Sequence, residues 1–384
     1  MRPGIRITQY IVGILFILSG LIKANDPLGL SYKMQEFFEL WSSSVSKNGL
    51  GNGLRSILDY FHQHSLLLAV IMITLEVIAG LALLLAWHKK LVTISLLVLI
   101  LFFTWLTGYA YLSGKFTNCG CFGDCFPISP LTSFIKDLIL LVLILLLVSG
   151  YRFLYPVIKS SKSKTNAVLT AGILFTVGIQ LYILNYLPVA DCLPFKKGNN
   201  IAQQMKPAAN SVPDSFAIKF IYEKNGKQYQ FSPEQLPADF TTYKFIERKQ
   251  ELVRKGNADP PIKGFSLTGL SGTDSTEQIL QDSTCILFFL QNYEHQEVWL
   301  QSFKTLVNTA VKTKIPLYVV TSDIQTIASA LSSEKVNVPV FACDFTVIRT
   351  AARTTPEIYF LNKGTIIDKY SYRKMNKAIQ RLNQ

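Results

Sequence analysis

The sequence holds no C-x-x-C pair, no H-E-x-x-H, no G-x-x-x-x-G-K-[ST] loop and no G-x-S-x-G elbow. Those absences set aside a dithiol site of ordinary spacing, a zincin, a P-loop nucleotidase and an elbow-type serine hydrolase. Histidine is scarce, four in 384 residues, and only His295 falls in the second half. Carboxylates are outnumbered, 25 against 38 lysines and arginines. Much of that excess sits in short connections between apolar runs, where it speaks for anionic lipid rather than an acidic substrate. The basic stretch FIERKQELVRKG (245–256) is interleaved with glutamate and reads as a solvated face, and the chain carries no nucleic-acid-binding motif.

Long apolar runs are missing from the second half and dominate the first 190 residues. Five stretches, 7–22, 65–87, 91–112, 131–148 and 167–186, are long and greasy enough to be membrane spans or near-spans, the first and fourth only with help from their flanks. The ten-residue alternation of an outer-membrane barrel is absent. The first span follows Arg2 and Arg6 as a signal peptide would, but lacks a small-x-small cleavage site. The fold class expected is an all-α polytopic helix bundle of four to five spans, followed by a soluble α/β domain. Basic residues set the orientation: Arg2 and Arg6, then His88-Lys89-Lys90, then Arg152, Lys159, Lys162 and Lys164 fall on one side if every span crosses. That side is expected to be cytoplasmic. The N-terminus then faces the cytoplasm, the chain is multi-pass in the inner membrane, and the loop after the third span and the C-terminal half are periplasmic.

What is present in that loop is TNCGCFGDCFP (117–127), three cysteines in seven residues. In an oxidising compartment such a cluster is a redox centre, a metal clip or a staple. A closed metal site needs four soft ligands in C-x2-4-C pairs, whereas the gaps here are one and three residues, and Cys192 would have to be the fourth ligand; no metal is expected. For redox work, Gly120 and Gly123 let the backbone turn around the sulfurs, and the start of the fourth span with Lys136 supplies positive charge to lower a thiol pKa. A disulfide that pins the loop is the plain alternative. Cys285 and Cys343 lie in apolar runs and read as small buried hydrophobes.

Inside the spans, Glu76 stands out, since a carboxylate there must face other helices. A functional Glu76 would relay protons or touch a quinone headgroup; a structural one would hydrogen-bond Thr93, Gln180 or Asn185. Lys136 and Asp137, at the entry to the fourth span, are expected to reach the interface or pair. Gly13, Gly20, Gly80 and Gly172 read as close helix packing.

FILSGLIKANDPLGLSYK, the glutamate in the second span, and C-G-C-F-G followed by SPLTSFIKD resemble the DoxX-like membrane proteins over 7–190. The likeness is to the branch related to the methylamine-utilisation protein MauE, in its Bacteroidetes-type form with a soluble C-terminal domain. The resemblance implies a membrane partner of thioredoxin-like proteins, working in disulfide formation or electron supply outside the cytoplasm. It places Cys119 and Cys121 at the paired cysteines, leaves Cys125 as a resolving candidate, and has no counterpart for Cys192, so a bond from Cys192 to the loop stays open.

Beyond the bundle (1–190), a polar stretch at 191–213 reads as a linker. FAIKFIYEKNGKQYQF alternates on either side of Asn225-Gly226, a hairpin signal that opens a small β-rich unit at 214–259. From 260 to 384 the order is strand 285–290, helix 294–310, strand 316–321, helix 324–331, a stretch near Val340, a strand–turn–strand around 362–364 and a helix over 372–382. This order, with Thr355-Pro356 opening a strand, resembles the thioredoxin-like fold of TlpA and its relatives. The resemblance implies a cis bond at Pro356 and a partner groove at Thr355 and Pro356. Where those relatives carry C-x-x-C, this chain has QNYEHQEVW, so dithiol exchange is excluded there.

Two readings follow. In one, a membrane component exchanges disulfides through Cys119 and Cys121 with a periplasmic protein, thioredoxin-like or a client, and a carrier such as a quinone takes part. In the other, a cell-envelope scaffold keeps a structural disulfide and a partner-binding thioredoxin-like domain.

Overall fold

The computed structural model describes residues 2–45, 50–116, 125, 128–157, 161–237, 239–254, 256 and 258–383. Its first half is helical: α1 (Arg2–Ala24), α2 (Pro27–Ser44), α3 (Leu50–Gln63), α4 (Ser65–Leu84), α5 (Lys89–Ser113), α6 (Pro130–Ser149) and α7 (Lys162–Tyr186). Five of these, α1, α4, α5, α6 and α7, are long and apolar enough to cross a membrane, and they coincide with the five expected spans. Their outer faces leave Leu67, Val98, Val142 and Leu174 exposed, as a lipid-facing surface requires. At the α1–α4 crossing a Cβ on Gly80 would stand 2.7 Å from the Gly13 carbonyl oxygen, so the small residues there permit close backbone approach.

Helices α2 and α3 were not expected. The local signal for α2 is nonetheless plain: Asp26 is its N-cap, accepting from Gly29 N, with Pro27 in the first turn. Helix α2 lies against the start of α4, where Ser31 and Ser65 share a hydrogen bond of 2.9 Å.

The stretch at 191–213 is no free linker. Leu193, Phe195 and Ile201 are buried, the last two in the core of the C-terminal domain, and α8 (Ile201–Gln204) is part of it. The chain then leaves that core to form β1 (Ser215–Lys224), β2 (Lys227–Phe231) and β3 (Lys244–Arg254), an antiparallel sheet of order β2-β1-β3. Asn225 and Gly226 make the expected hairpin turn, both at positive φ, with Lys224 opposite Lys227. FIERKQELVRKG is therefore largely a strand, β3. Ile262 N donates to Gln204 O (3.0 Å), so the small sheet is an excursion whose two ends meet.

The main domain continues through β4 (Thr268–Gly269), α9 (Thr276–Gln281), β5 (Cys285–Phe289), α10 (Gln296–Thr313), β6 (Leu317–Thr321), α11 (Ile324–Ser333), β7 (Val340–Ala342), α12 (Phe345–Ala351), β8 (Glu357–Asn362), β9 (Thr365–Ser371) and α13 (Met375–Leu382). The sheet order is β4-β7-β6-β5-β8-β9, with β5, β6 and β7 parallel and β8 and β9 antiparallel. This is the thioredoxin-like arrangement expected. Strand β5 is buried on both faces: Cys285, Leu287 and Phe289 enter one core, Ile286 and Phe288 the other with Trp299 and Phe303 of α10. The Thr355–Pro356 bond is cis.

Candidate functional site

Cys119 and Cys121, the proposed exchanging pair, lie outside the described residues. Cys125 is described, and it is bonded to Cys192, with the two Cα atoms 4.7 Å apart. That bond settles a pairing the sequence left open, and it engages the sulfur expected to act as a resolving thiol. Cys192 follows α7 by six residues, so the disulfide ties the loop between α5 and α6 to the point where the bundle hands over to the C-terminal domain.

The surroundings of the disulfide form a closed circuit. Asn25, just past α1, pairs its side-chain amide with the backbone of Ala190 (2.7 and 2.9 Å) and approaches Cys125 Sγ at 3.9 Å. Its neighbour Asp26 receives the guanidinium of Arg353 at 2.9 Å on both carboxylate oxygens, and both side chains are buried. Arg353 precedes the cis peptide by two residues, and its backbone N–H and that of Thr354 donate to Glu357 (2.7 and 3.2 Å). Lys369 stands 3.3 Å from Glu357 and 3.0 Å from Asp191, the residue before Cys192. Burial pushes the Glu357 carboxyl up, against the lowering effects of Lys369 and of the two N–H donors. Burial alone would lower Lys369, but Tyr359, Glu357 and Asp191 together raise it, so it stays charged.

The segment that leads into the Thr355–Pro356 bond is therefore held against the bundle through Arg353. At the same α1–α2 corner Arg349 lies 3.8 Å over the ring of Tyr32 and hydrogen-bonds Gln35. A second seam joins Asn185 of α7 to the hydroxyl of Tyr372 (3.1 Å) and to Arg373 (3.3 Å). Asn185 thus serves the junction, not Glu76 as one sequence reading had it.

At the position where a C-x-x-C would sit, Gln291 donates to the carbonyl oxygen of Ala352 at 3.2 Å, bracing the segment that leads into the cis bond. Both remaining described cysteines are inert: burial pushes the Cys285 thiol up to about 12, with Asp282 adding to it, and the Cys343 thiol up to about 11. His295 is a surface residue 3.5 Å from Glu297.

Glu76 is paired with a residue the sequence reading passed over. Lys23 Nζ lies 2.6 and 2.8 Å from its two oxygens, is bonded to Ser19 (3.2 Å), and stands 4.6 Å over the Phe103 ring. Neither expected partner on α5 or α7 reaches Glu76: Thr93 bonds back to its own helix, and Gln180 bonds Thr74. The signal available was FILSGLIK itself, since a lysine at the end of one span and a glutamate in the next are opposite charges in hydrocarbon. Of the two expectations for Lys136 and Asp137, interface or ion pair, the structure shows the pair: Asp137 is wholly buried and also accepts from Thr107 at 3.0 Å. Lys136, expected to lend charge to the loop thiols, carries its ammonium to Asp137 at 2.5 Å. Both pairs line one cavity of about 60 Å³. That is room for a few waters between the two ion pairs.

The model of the family described as "Methylamine utilisation protein MauE" matches residues 1–150, and that of a "Domain of unknown function (DUF8463)" matches 216–255, the small inserted sheet. A curated relative, Protein TlpB of Flavobacterium psychrophilum, is 29% identical over 135 residues. That match takes in 35% of this chain and 32% of the relative, so the chain spans about a third of the length of the curated relative it matches. Among solved structures, the chain is similar to a thiol:disulfide interchange protein from Bacteroides sp. (14% identity, 31% of this chain and 86% of that one, TM-score 0.26). It is also similar to a secreted Mycobacterium tuberculosis disulfide oxidoreductase (16%, 31% and 95%, 0.26) and to yeast Sco1 (17%, 31% and 89%, 0.26).

Proposed function

We propose that this thiol–disulfide-related membrane protein is the membrane component of an extracytoplasmic thiol–disulfide or electron-transfer system. Cys119 and Cys121 exchange disulfides with a protein partner, thioredoxin-like or a client. The observation that carries the reading is the Cys125–Cys192 bond, which fastens the cysteine loop at the corner where Asp26 receives Arg353 of the cis-proline segment. Cys119 and Cys121 are tethered to Cys125 by six and four residues, a reach of at most roughly 22 Å. In the exchange, a thiolate of a partner dithiol attacks the Cys119–Cys121 bond, which breaks as a mixed disulfide forms. The partner's second thiol then displaces that bond to form the partner's own disulfide, so that two electrons and two protons have passed to the pair. The exchange balances without an external oxidant. The proposed setting is the inner membrane, with the N-terminus cytoplasmic and the loop and C-terminal domain periplasmic.

A second reading, a non-catalytic envelope scaffold, is favoured by Gln291, which fills the dithiol position and braces the cis-proline segment. Acid-quench thiol trapping in intact cells separates the two, with Cys119→Ser and Cys121→Ser each compared with the wild type. The exchange reading expects partial reduction at steady state and a trapped mixed disulfide in one single variant. A pair that stays fully oxidised through a reductant pulse, with no mixed disulfide in either variant, leaves the scaffold.

A further inference from the structure

The opposite end of the bundle carries a feature that the thiol reading does not use. The start of α1, the α4–α5 connection and the α6–α7 connection converge there: the Gln9 amide donates to the carbonyl oxygens of Leu83 (2.7 Å) and Tyr155 (3.0 Å), and Val157 N donates to Leu84 O (2.9 Å). The stretches of sequence around this end, 1–12, 80–95 and 147–168, contain no aspartate or glutamate. Among the described side chains, Arg6, Lys89, Lys90, Arg152, Lys162 and Lys164 lie in them. Cations gathered without a carboxylate must find their counter-charge outside the chain.

Three of them, Lys89, Lys90 and Arg152, also border a groove. An open cavity of about 810 Å³ has Lys89, Lys90, Tyr151 and Arg152 at its polar end and Leu91 and Ile94 of α5 along its apolar wall. Arg152 Nε donates to the Tyr151 hydroxyl at 3.3 Å, and Lys89 lies 5.3 Å over the Tyr155 ring, so the aromatic residues hold the cations at the rim. The Arg152 hydrogen bond and charge, and then Lys90, hold the Tyr151 hydroxyl below its usual range, which shows the positive field reaching across the groove. A polar, cationic head and a greasy flank on a membrane helix match an amphiphile with an anionic head.

We propose that this groove binds an anionic glycerophospholipid, its phosphodiester on Lys89, Lys90 and Arg152 and an acyl chain along Leu91 and Ile94. The proposal stands apart from the thiol reading: either can fail alone. A cation near an anionic lipid surface is worth roughly five-fold in binding, so three together are worth on the order of a hundred-fold.

The test uses the full chain in phosphatidylcholine nanodiscs doped with phosphatidylglycerol, counting retained lipid by native mass spectrometry. Wild type is expected to retain phosphatidylglycerol over phosphatidylcholine. Lys89→Gln/Lys90→Gln/Arg152→Gln is expected to lose that preference by on the order of a hundred-fold, while Lys162→Gln/Lys164→Gln, which removes charge at the same end but outside the groove, changes it by less than about five-fold. Should the triple variant not fold, Arg152→Gln alone reads the same difference at about five-fold, and Lys89→Arg/Lys90→Arg must keep it. Equal retention of the two lipids, or equal losses in the groove and control variants, overturns the site in favour of diffuse attraction. Displacement of the lipid by millimolar inorganic phosphate overturns the lipid as the ligand and assigns the cations to free phosphate.

Discussion

Lys23 and Asp26 stand three residues apart where α1 gives way to α2, and each is buried against an opposite charge. Lys23 turns into the bundle to Glu76, where the surroundings are helix side chains and lipid. Asp26 turns out of it to Arg353, across a seam between two modules. The same chemistry therefore has two different consequences. An ion stripped of its partner inside the bundle has no water to turn to, whereas one stripped at the seam is rehydrated once the modules part. The inner pair makes the helices' arrangement specific; the outer pair makes the docking of the C-terminal domain specific.

Breaking the inner pair is expected to give the largest effect. Glu76→Ala leaves a buried lysine unpaired and should cost about 3–5 kcal/mol, read as a lowered unfolding midpoint in detergent. The double variant Lys23→Met/Glu76→Leu removes both charges and should recover most of that loss. If the double variant is as unstable as the single one, the charges are not what the bundle depends on there. Next comes the covalent tie at the seam: Cys192→Ser opens a closure of 67 residues and is expected to cost about 2–4 kcal/mol. Its readout is faster proteolysis within 187–192 with the spans intact. Asp26→Asn should be smaller, about 1.5–3 kcal/mol, because one charge-assisted contact goes while the disulfide remains. It would appear as increased cleavage at the same connection, and protection equal to wild type would show that Arg353 does not hold the seam.

How far these features could be read from the sequence depended on whether their cause was local. The five spans, the Asn225–Gly226 turn and the strand–helix order after 260 are set by apolar run length, turn chemistry and periodicity, all visible in a short window. Helix α2 has a local signal too: Asp26-Pro27 inside FILSGLIKANDPLGLSYK is an N-cap followed by a first-turn proline. Phe195 and Ile201 were hidden for another reason: a few apolar residues in a polar stretch look like a linker until the core they enter is present. The site was the least legible part. Glu76 announced itself by its cost in hydrocarbon, but its partner is 53 residues away, and Arg353 lies 327 residues from Asp26. Nothing in spacing reports such pairs. The absence of a C-x-x-C was plain; that Gln291 braces the cis-proline segment in its place was not.

The smallest effect concerns the cysteines that the seam leaves alone, and it sharpens the contrast between accessible and sealed sulfur. Burial raises Cys285 from a usual value of 9.0 to about 12 and Cys343 to about 11. At pH 8 their thiolate fractions fall to on the order of one in ten thousand and one in a thousand, against about one in ten for an ordinary thiol. Alkylation of the native protein should therefore spare both, and urea should release them. The sign of the linkage follows from the same shifts. Above pH 9 the unfolded chain gives up thiol protons that the folded chain keeps, so the unfolded state binds fewer protons and stability falls as pH rises from 9 toward 12. In Cys192→Ser the count of native reactive thiols should rise by one, at Cys125, with Cys285 and Cys343 still silent. Labelling of Cys285 before unfolding would mean that the core around β5 opens on its own, and that the seam is not the first part of the C-terminal domain to give way.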